Sequence, residues 1–357
     1  MPEGGTQLLH YMTLGLSLAA ILFACELFTN GIEWVGKRLS LSEGAVGSVL
    51  AAVGTALPET MIPIVAIFFK GGEAGQEVGI GAILGAPFLL ATLAFGMIGI
   101  SAIGYARRRP TGRIVQLRRR VVLRDMRYFV LVYGFAIAWA LRPEALSRHE
   151  HLKWLLALGL CAVYYRYVSV YLRSPGDMEE VDMHPLRFCP RVAEPPLWKA
   201  VAQTLVALGL IVGGAGLFVE GIEALAKQWG VGPGVLSLII APIATELPEK
   251  FNSILWMRRG RDTLAMGNIT GAMVFQSCLP PAIGICFTAW HFRPIAPHAP
   301  AIASALAALL SGAILFVWML RRQRLDGRAF LGALLLYAAF IVVLVAWWRN
   351  ALPLPSW

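Results

Sequence analysis

The chain has 357 residues, of which 57% are hydrophobic and only 15% charged, and its mean hydropathy is +0.66. Soluble domains carry about a quarter charged residues, so this length does not here mean two ordinary soluble domains. The net charge of +10 does not point to nucleic acid, because the arginines lie between long apolar runs, as in a membrane protein.

In chain order the runs predict ten spans, roughly 8–36, 44–69, 77–104, 121–141, 152–172, 198–226, 232–257, 263–288, 299–320 and 329–348. Each is near or above the ~20 residues that a helix needs to cross a bilayer. The first contains Glu26 and lacks a small-residue cleavage site, so it reads as a retained helix and not a signal peptide. No run alternates as a barrel strand would, and lipid cannot satisfy a bare backbone, so the expected fold class is all-α. Several runs are longer than a straight crossing, which predicts tilt or breaks.

Arginines set the orientation. The loop after the third span holds Arg107, Arg108, Arg109, Arg113, Arg118, Arg119 and Arg120; the loop after the seventh holds Arg258, Arg259 and Arg261. The loop after the ninth holds Arg321, Arg322, Arg324 and Arg328. Alternating spans bring all three to one side, which the positive-inside rule makes cytoplasmic. Only scattered charges such as Lys70, Arg142, Lys227 and Arg293 fall opposite. Both termini are therefore expected outside the cytoplasm of a bacterial inner or cell membrane. The polar, proline-containing stretch from Ser174 to Pro196 reads as a cytoplasmic linker, giving segments 1–173, 174–196 and 197–357.

The five cysteines form no CxxC pair and mostly lie inside apolar runs, which suits packing. No HExxH spacing occurs among the six histidines, so neither a histidine metal site nor a resident cofactor is expected. The expected partners are the lipid bilayer and inorganic cations.

The two outer segments repeat each other. Leu27 to Glu33 matches Leu217 to Glu223, and Gly54-Thr55-Ala56-Leu57-Pro58-Glu59 matches Ala244-Thr245-Glu246-Leu247-Pro248-Glu249, both offset by 190 positions. Gly81 to Ala86 matches Gly267 to Ala272 at an offset of 186. Each half has five spans, an odd number, so the second enters the membrane inverted. Such repeats point to a secondary transporter with its site at the repeat interface near the midplane.

Glu59 and Glu249 lie midway along their spans, where a carboxylate is expensive unless it is paired or binds a cation. Pro58 and Pro248 cannot donate to the carbonyls of Gly54 and Ala244. A helix broken there would turn those carbonyls and the hydroxyls of Thr55 and Thr245 toward a cavity. Two carboxylates, hydroxyls and carbonyls form a hard oxygen site suited to Ca2+. The glycines 79, 81, 85, 267 and 271 serve close helix packing, or take part in the site directly. In the second half Asn268, Thr270, Gln276 and Ser277 add oxygen donors, while the first half offers Ala82, Ala86, Pro87 and Leu90.

These motifs resemble the cation/Ca2+ antiporter superfamily, which includes Na+/Ca2+ exchangers and whose two repeats read approximately GTSLPE followed by GNxxGSNxxN or GNxxGSNxxD. The resemblance covers almost the whole chain and implies that Glu59 and Glu249 bind Ca2+, with Thr55 and Thr245 contributing oxygens. The chain departs from the pattern at Ala56, Glu246, Ala86, Ala272, Leu90 and Gln276. Glu246 and Lys250, four apart, are additions on one helix. They form a neutralising pair, or Lys250 stands in for a coupling cation, or Glu246 carries a proton. Glu26, Glu33, Glu220 and Glu223, on the first and sixth spans, either solvate helix ends or line an ion entrance. The function implied is a secondary antiporter of Ca2+, or a similar divalent cation, against Na+ or H+ by alternating access. A non-transporting relative acting as scaffold or sensor is the alternative, and no enzyme motif occurs.

Overall fold

The structure is a computed structural model that describes residues 3–39, 51–117, 119–142, 150–172, 184–293, 298–322 and 324–351. Within these, the side chains at 3–7, 51–57, 150, 171–172, 247–249, 252 and 350–351 lie outside the described set.

Among the described residues, ten helical rods follow the ten apolar runs in order. They are α1 (Glu3–Arg38), α2 (Ala51–Ile64, extended by a π turn over Val65–Lys70), and α3 (Gly72–Leu89), which runs through a π turn at Leu90–Ala94 into α4 (Phe95–Gly104). After β1 (Ile114–Gln116) come α5 (Arg119–Ala140) and α6 (Glu150–Leu172). The second half holds α7 (Leu197–Trp229), α8 (Pro233–Arg258), α9 (Asp262–Phe287), α10 (Ala299–Arg321), β2 (Arg324–Asp326) and α11 (Leu331–Ala351). Six rods are long and apolar enough to cross a membrane by composition alone. Two of the others carry too much charge for that: α5 has four arginines and Asp125 in its first three turns, and α8 holds Glu246, Glu249 and Lys250.

The expected break at the motif prolines is not seen. α2 continues through Pro58 and Pro63, and α8 runs unbroken through Pro248. A proline removes one donor, and the surrounding helical bonds hold the rod together. Each motif therefore frees one carbonyl and does not unwind a turn. The α7–α8 corner closes on Gly230, whose φ of 64° needs no Cβ, and Pro233 opens α8 at a position where its missing N–H costs nothing.

α1 and α7 pack antiparallel along their lengths, with Leu14, Ile21 and Phe28 against Ile211, Phe218 and Ile222. Gly214 meets Ile21 and Gly221 meets Leu14, so the lost Cβ atoms bring the two rods close. The larger core joins α3–α6 to α8–α10 around Phe88, Phe95, Phe129, Met266 and Trp290.

The arginine-rich loops share one face. β1 pairs antiparallel with β2, in register Ile114↔Asp326, Val115↔Leu325 and Gln116↔Arg324. Arg109, one of the loop arginines that set the orientation, is buried. Its guanidinium donates to the carbonyls of Gly112, Ile114 and Met257 and lies 2.9 Å from Asp262 Oδ2. The Gln116 amide donates to the same carboxylate oxygen.

The linker is also more than a tether. Its first residues lie outside the described set, but 184–196 straps onto α1 and α7. Asn30 and Trp34 donate to the His184 carbonyl, Gln203 donates to Asn30 Oδ1 and the Leu27 carbonyl, and Leu186 is fully buried.

Candidate functional site

Three helices from both halves line a small, partly open cavity. α2 contributes Glu59 and Ile62, α3 contributes Ala82 and Ala86, and α8 contributes Ala241, Pro242 and Thr245. Glu59 and Thr245 are 8% and 3% exposed, so both polar groups are buried. Small residues set the spacing of the walls. A Cβ at Gly81 would overlap the Gly234 carbonyl oxygen, and one at Gly85 the Leu238 carbonyl and the Pro242 ring. Ser237 on α8 adds a hydrogen bond to the Val78 carbonyl at 2.8 Å. For the first-half glycine motif, close packing is thus what the geometry provides.

Thr245 donates its hydroxyl to the Ala241 carbonyl at 3.1 Å, which leaves its lone pairs available to a cation. Ala244 is buried beside it, and Pro248 gives its carbonyl no helical donor. Gly54 and Thr55 lie on α2 about one turn before Glu59, while the side chains of Thr55 and Glu249 fall outside the described set. Among the described residues no three His, Cys, Asp or Glu side chains converge as a metal cluster.

Glu246 and Lys250 are both buried, with Nζ 3.3 Å from Oε2. Gln276 of α9 donates to the other carboxylate oxygen, Oε1, at 3.1 Å. The structure therefore brings Glu246, Lys250 and Gln276 together. The remaining second-half donors are turned elsewhere. Asn268 donates to Ser253 at 3.0 Å, Ser277 bonds the Val274 carbonyl, and Thr270 donates to Asp125 at 2.8 Å.

Asp125 was not singled out by sequence reasoning. It is 1% exposed and accepts from Tyr167 as well as Thr270, so it ties α5, α6 and α9 together. Its signal was masked by Arg124 and Arg127, which make it look like part of a solvated loop flank. The Arg109–Asp262 pair was missed for the same reason. Glu26 and Glu220 are half exposed and pair with Arg187 and Lys70, so they lie in ion pairs away from the cavity.

Two matched five-helix halves, packed antiparallel around buried carboxylates at their interface, define an integral membrane protein of the inverted-repeat exchanger class. The chain belongs to the sodium/calcium exchanger protein family, whose profile matches residues 9–173 and 199–347. The putative antiporter CaxA of Alkalimonas amylolytica is 23% identical over 261 residues, covering 73% of this chain and 75% of its own. The inner membrane protein YrbG of Escherichia coli is 23% identical over 350 residues, 96% of this chain and 98% of its own. The crystal structure of the H+/Ca2+ exchanger CAX superposes with a TM-score of 0.68 at 18% identity, covering 96% of this chain and 88% of that one. The sodium-calcium exchanger NCX_Mj superposes with a TM-score of 0.53 at 16% identity, over 97% and 99%.

Proposed function

We propose that this protein is a secondary antiporter that moves Ca2+, or a similar divalent cation, in exchange for Na+ or H+. The strongest support is that Glu59 and Thr245, from the two matched proline motifs of opposite halves, line one buried cavity. A carboxylate held in a small, poorly hydrated space favours a cation, and the carbonyl and hydroxyl oxygens around it suit a hard one. Glu249, with the freed carbonyls of Gly54 and Ala244 and the hydroxyl of Thr55, completes the proposed ligand set. The related folds include one H+/Ca2+ and one sodium-calcium exchanger, so the fold does not choose the coupling ion. The arginine-rich face is proposed to be cytoplasmic, with both termini opposite.

Radioactive Ca2+ uptake into proteoliposomes under an outward Na+ or H+ gradient tests this. Gradient-driven uptake is expected in the wild type and is expected to fall to the protein-free level in Glu59→Gln and in Glu249→Gln. The apolar wall of Ala82 and Ala86 supports the alternative of a scaffold or sensor, and absence of uptake under either gradient would favour it over exchange.

A further inference from the structure

The Glu246–Lys250 pair has no counterpart in the first half, where the matching positions are Ala56 and Thr60. Glu246 follows the cavity-lining Thr245 directly and lies one turn beyond the cavity-lining Pro242. Its carboxylate is fully buried. One oxygen faces the Lys250 ammonium at 3.3 Å and the other accepts from Gln276 of α9. A carboxylate in such a place needs a compensating cation, and a lysine supplies a compact one on a flexible stem. Glu59, on α2 of the other half, lines the cavity directly, whereas Glu246 is served by a covalently attached charge.

We propose that the Lys250 ammonium is a tethered cation that permanently fills one monovalent-ion position beside the exchange site. It holds Glu246 out of the set of groups that trade ions. The carrier consequently binds one fewer monovalent ion than it would with an uncharged residue at 250. This rests on the reading of the cavity as an ion-exchange site, but its test does not need transport.

Purified protein is heated in NaCl and in choline chloride at equal ionic strength, with Na+ as the probe. Lys250→Met leaves Glu246 without its ammonium and is expected to gain a saturable, Na+-dependent rise in melting temperature that exceeds any wild-type response. The double variant Glu246→Gln/Lys250→Met, which removes both charges, is expected to lose that gain. A Lys250→Met protein that responds to Na+ no more than wild type overturns the proposal, and so does a double variant that responds equally. If Lys250→Met cannot be recovered in choline chloride, recovery with NaCl throughout growth and extraction supports the proposal. Failure to recover it in either salt overturns it. A failed Ca2+ uptake assay would remove the exchange function and leave this Na+ readout unchanged.

Discussion

Arg109 is held in a fixed cradle of three carbonyls, the Thr111 hydroxyl and the Asp262 carboxylate. With both partners at 0% and 2% exposure, removing one leaves the other charge buried and uncompensated. Arg109→Ala is expected to destabilise by about 3–5 kcal/mol. Arg109→Lys is expected to recover little, because an ammonium cannot reproduce the fork of bonds. Apparent melting temperatures in detergent check both. Burial of this kind was not legible in the sequence. Arg107, Arg108 and Arg109 are consecutive and chemically identical, and only tertiary packing picks out the third. Glu59 was legible because a carboxylate inside an apolar run is conspicuous. Asp125 was not, because its arginine neighbours disguise it, although it is the more deeply buried of the two.

Helix boundaries were readable because lipid admits only a few solutions to backbone hydrogen bonding. Among the described residues each of the ten apolar runs holds a rod, and the repeat fixed which of them correspond. What the pattern hid was the behaviour of non-helical chain. The segment 184–196 reads as linker by composition, yet the side chains of Asn30 and Trp34, 150 or more residues away, hold its start, which no local pattern reveals. Asn30 and Gln203 are the anchors: the Arg187 amide donates to Asn30 Oδ1 at 3.1 Å and the Phe188 amide to Gln203 Oε1 at 2.9 Å. Asn30→Leu and Gln203→Leu each remove the acceptor of one linker amide together with the side-chain amide donor, at about 1 kcal/mol for each hydrogen bond lost. Hydrogen exchange of those two amides is expected to accelerate several-fold, each most in the variant that removes its own acceptor. The packing of α3 on α8 gives a second expectation at this scale. Gly85→Ala overlaps the Leu238 carbonyl, so it is expected to cost about 1–3 kcal/mol through forced separation of the two rods. The matched substitution Gly271→Ala, whose nearest described neighbour is the Tyr167 hydroxyl at 3.9 Å, is expected to cost less in the same melting assay.

Across the whole molecule, the two halves share a path but not a charge. The antiparallel α1–α7 pair and the five-plus-five order follow from duplication, and that symmetry was visible as two offsets in the sequence. The added Glu246–Lys250 pair in only one half was visible as well, but its coupling to Gln276 came from folding. Glu59, Glu246 and Glu249, when ionised, sum with Lys250 to two negative charges. One divalent ion cancels them, and so do two monovalent ions. If the loaded carrier crosses in both directions with its site neutralised, each cycle moves no net charge. The expectation is therefore electroneutral exchange, one Ca2+ against two monovalent ions. Moving one elementary charge through 100 mV is worth about 2.3 kcal/mol, which would change the Ca2+ accumulation ratio about fifty-fold. Proteoliposomes clamped with valinomycin and K+ at 0 mV and at 100 mV of either sign separate the cases cleanly. Equal steady-state accumulation at all three potentials is expected. A shift approaching fifty-fold would mean that a further ion travels with the cycle and that the ammonium of Lys250 does not complete the charge balance of the site.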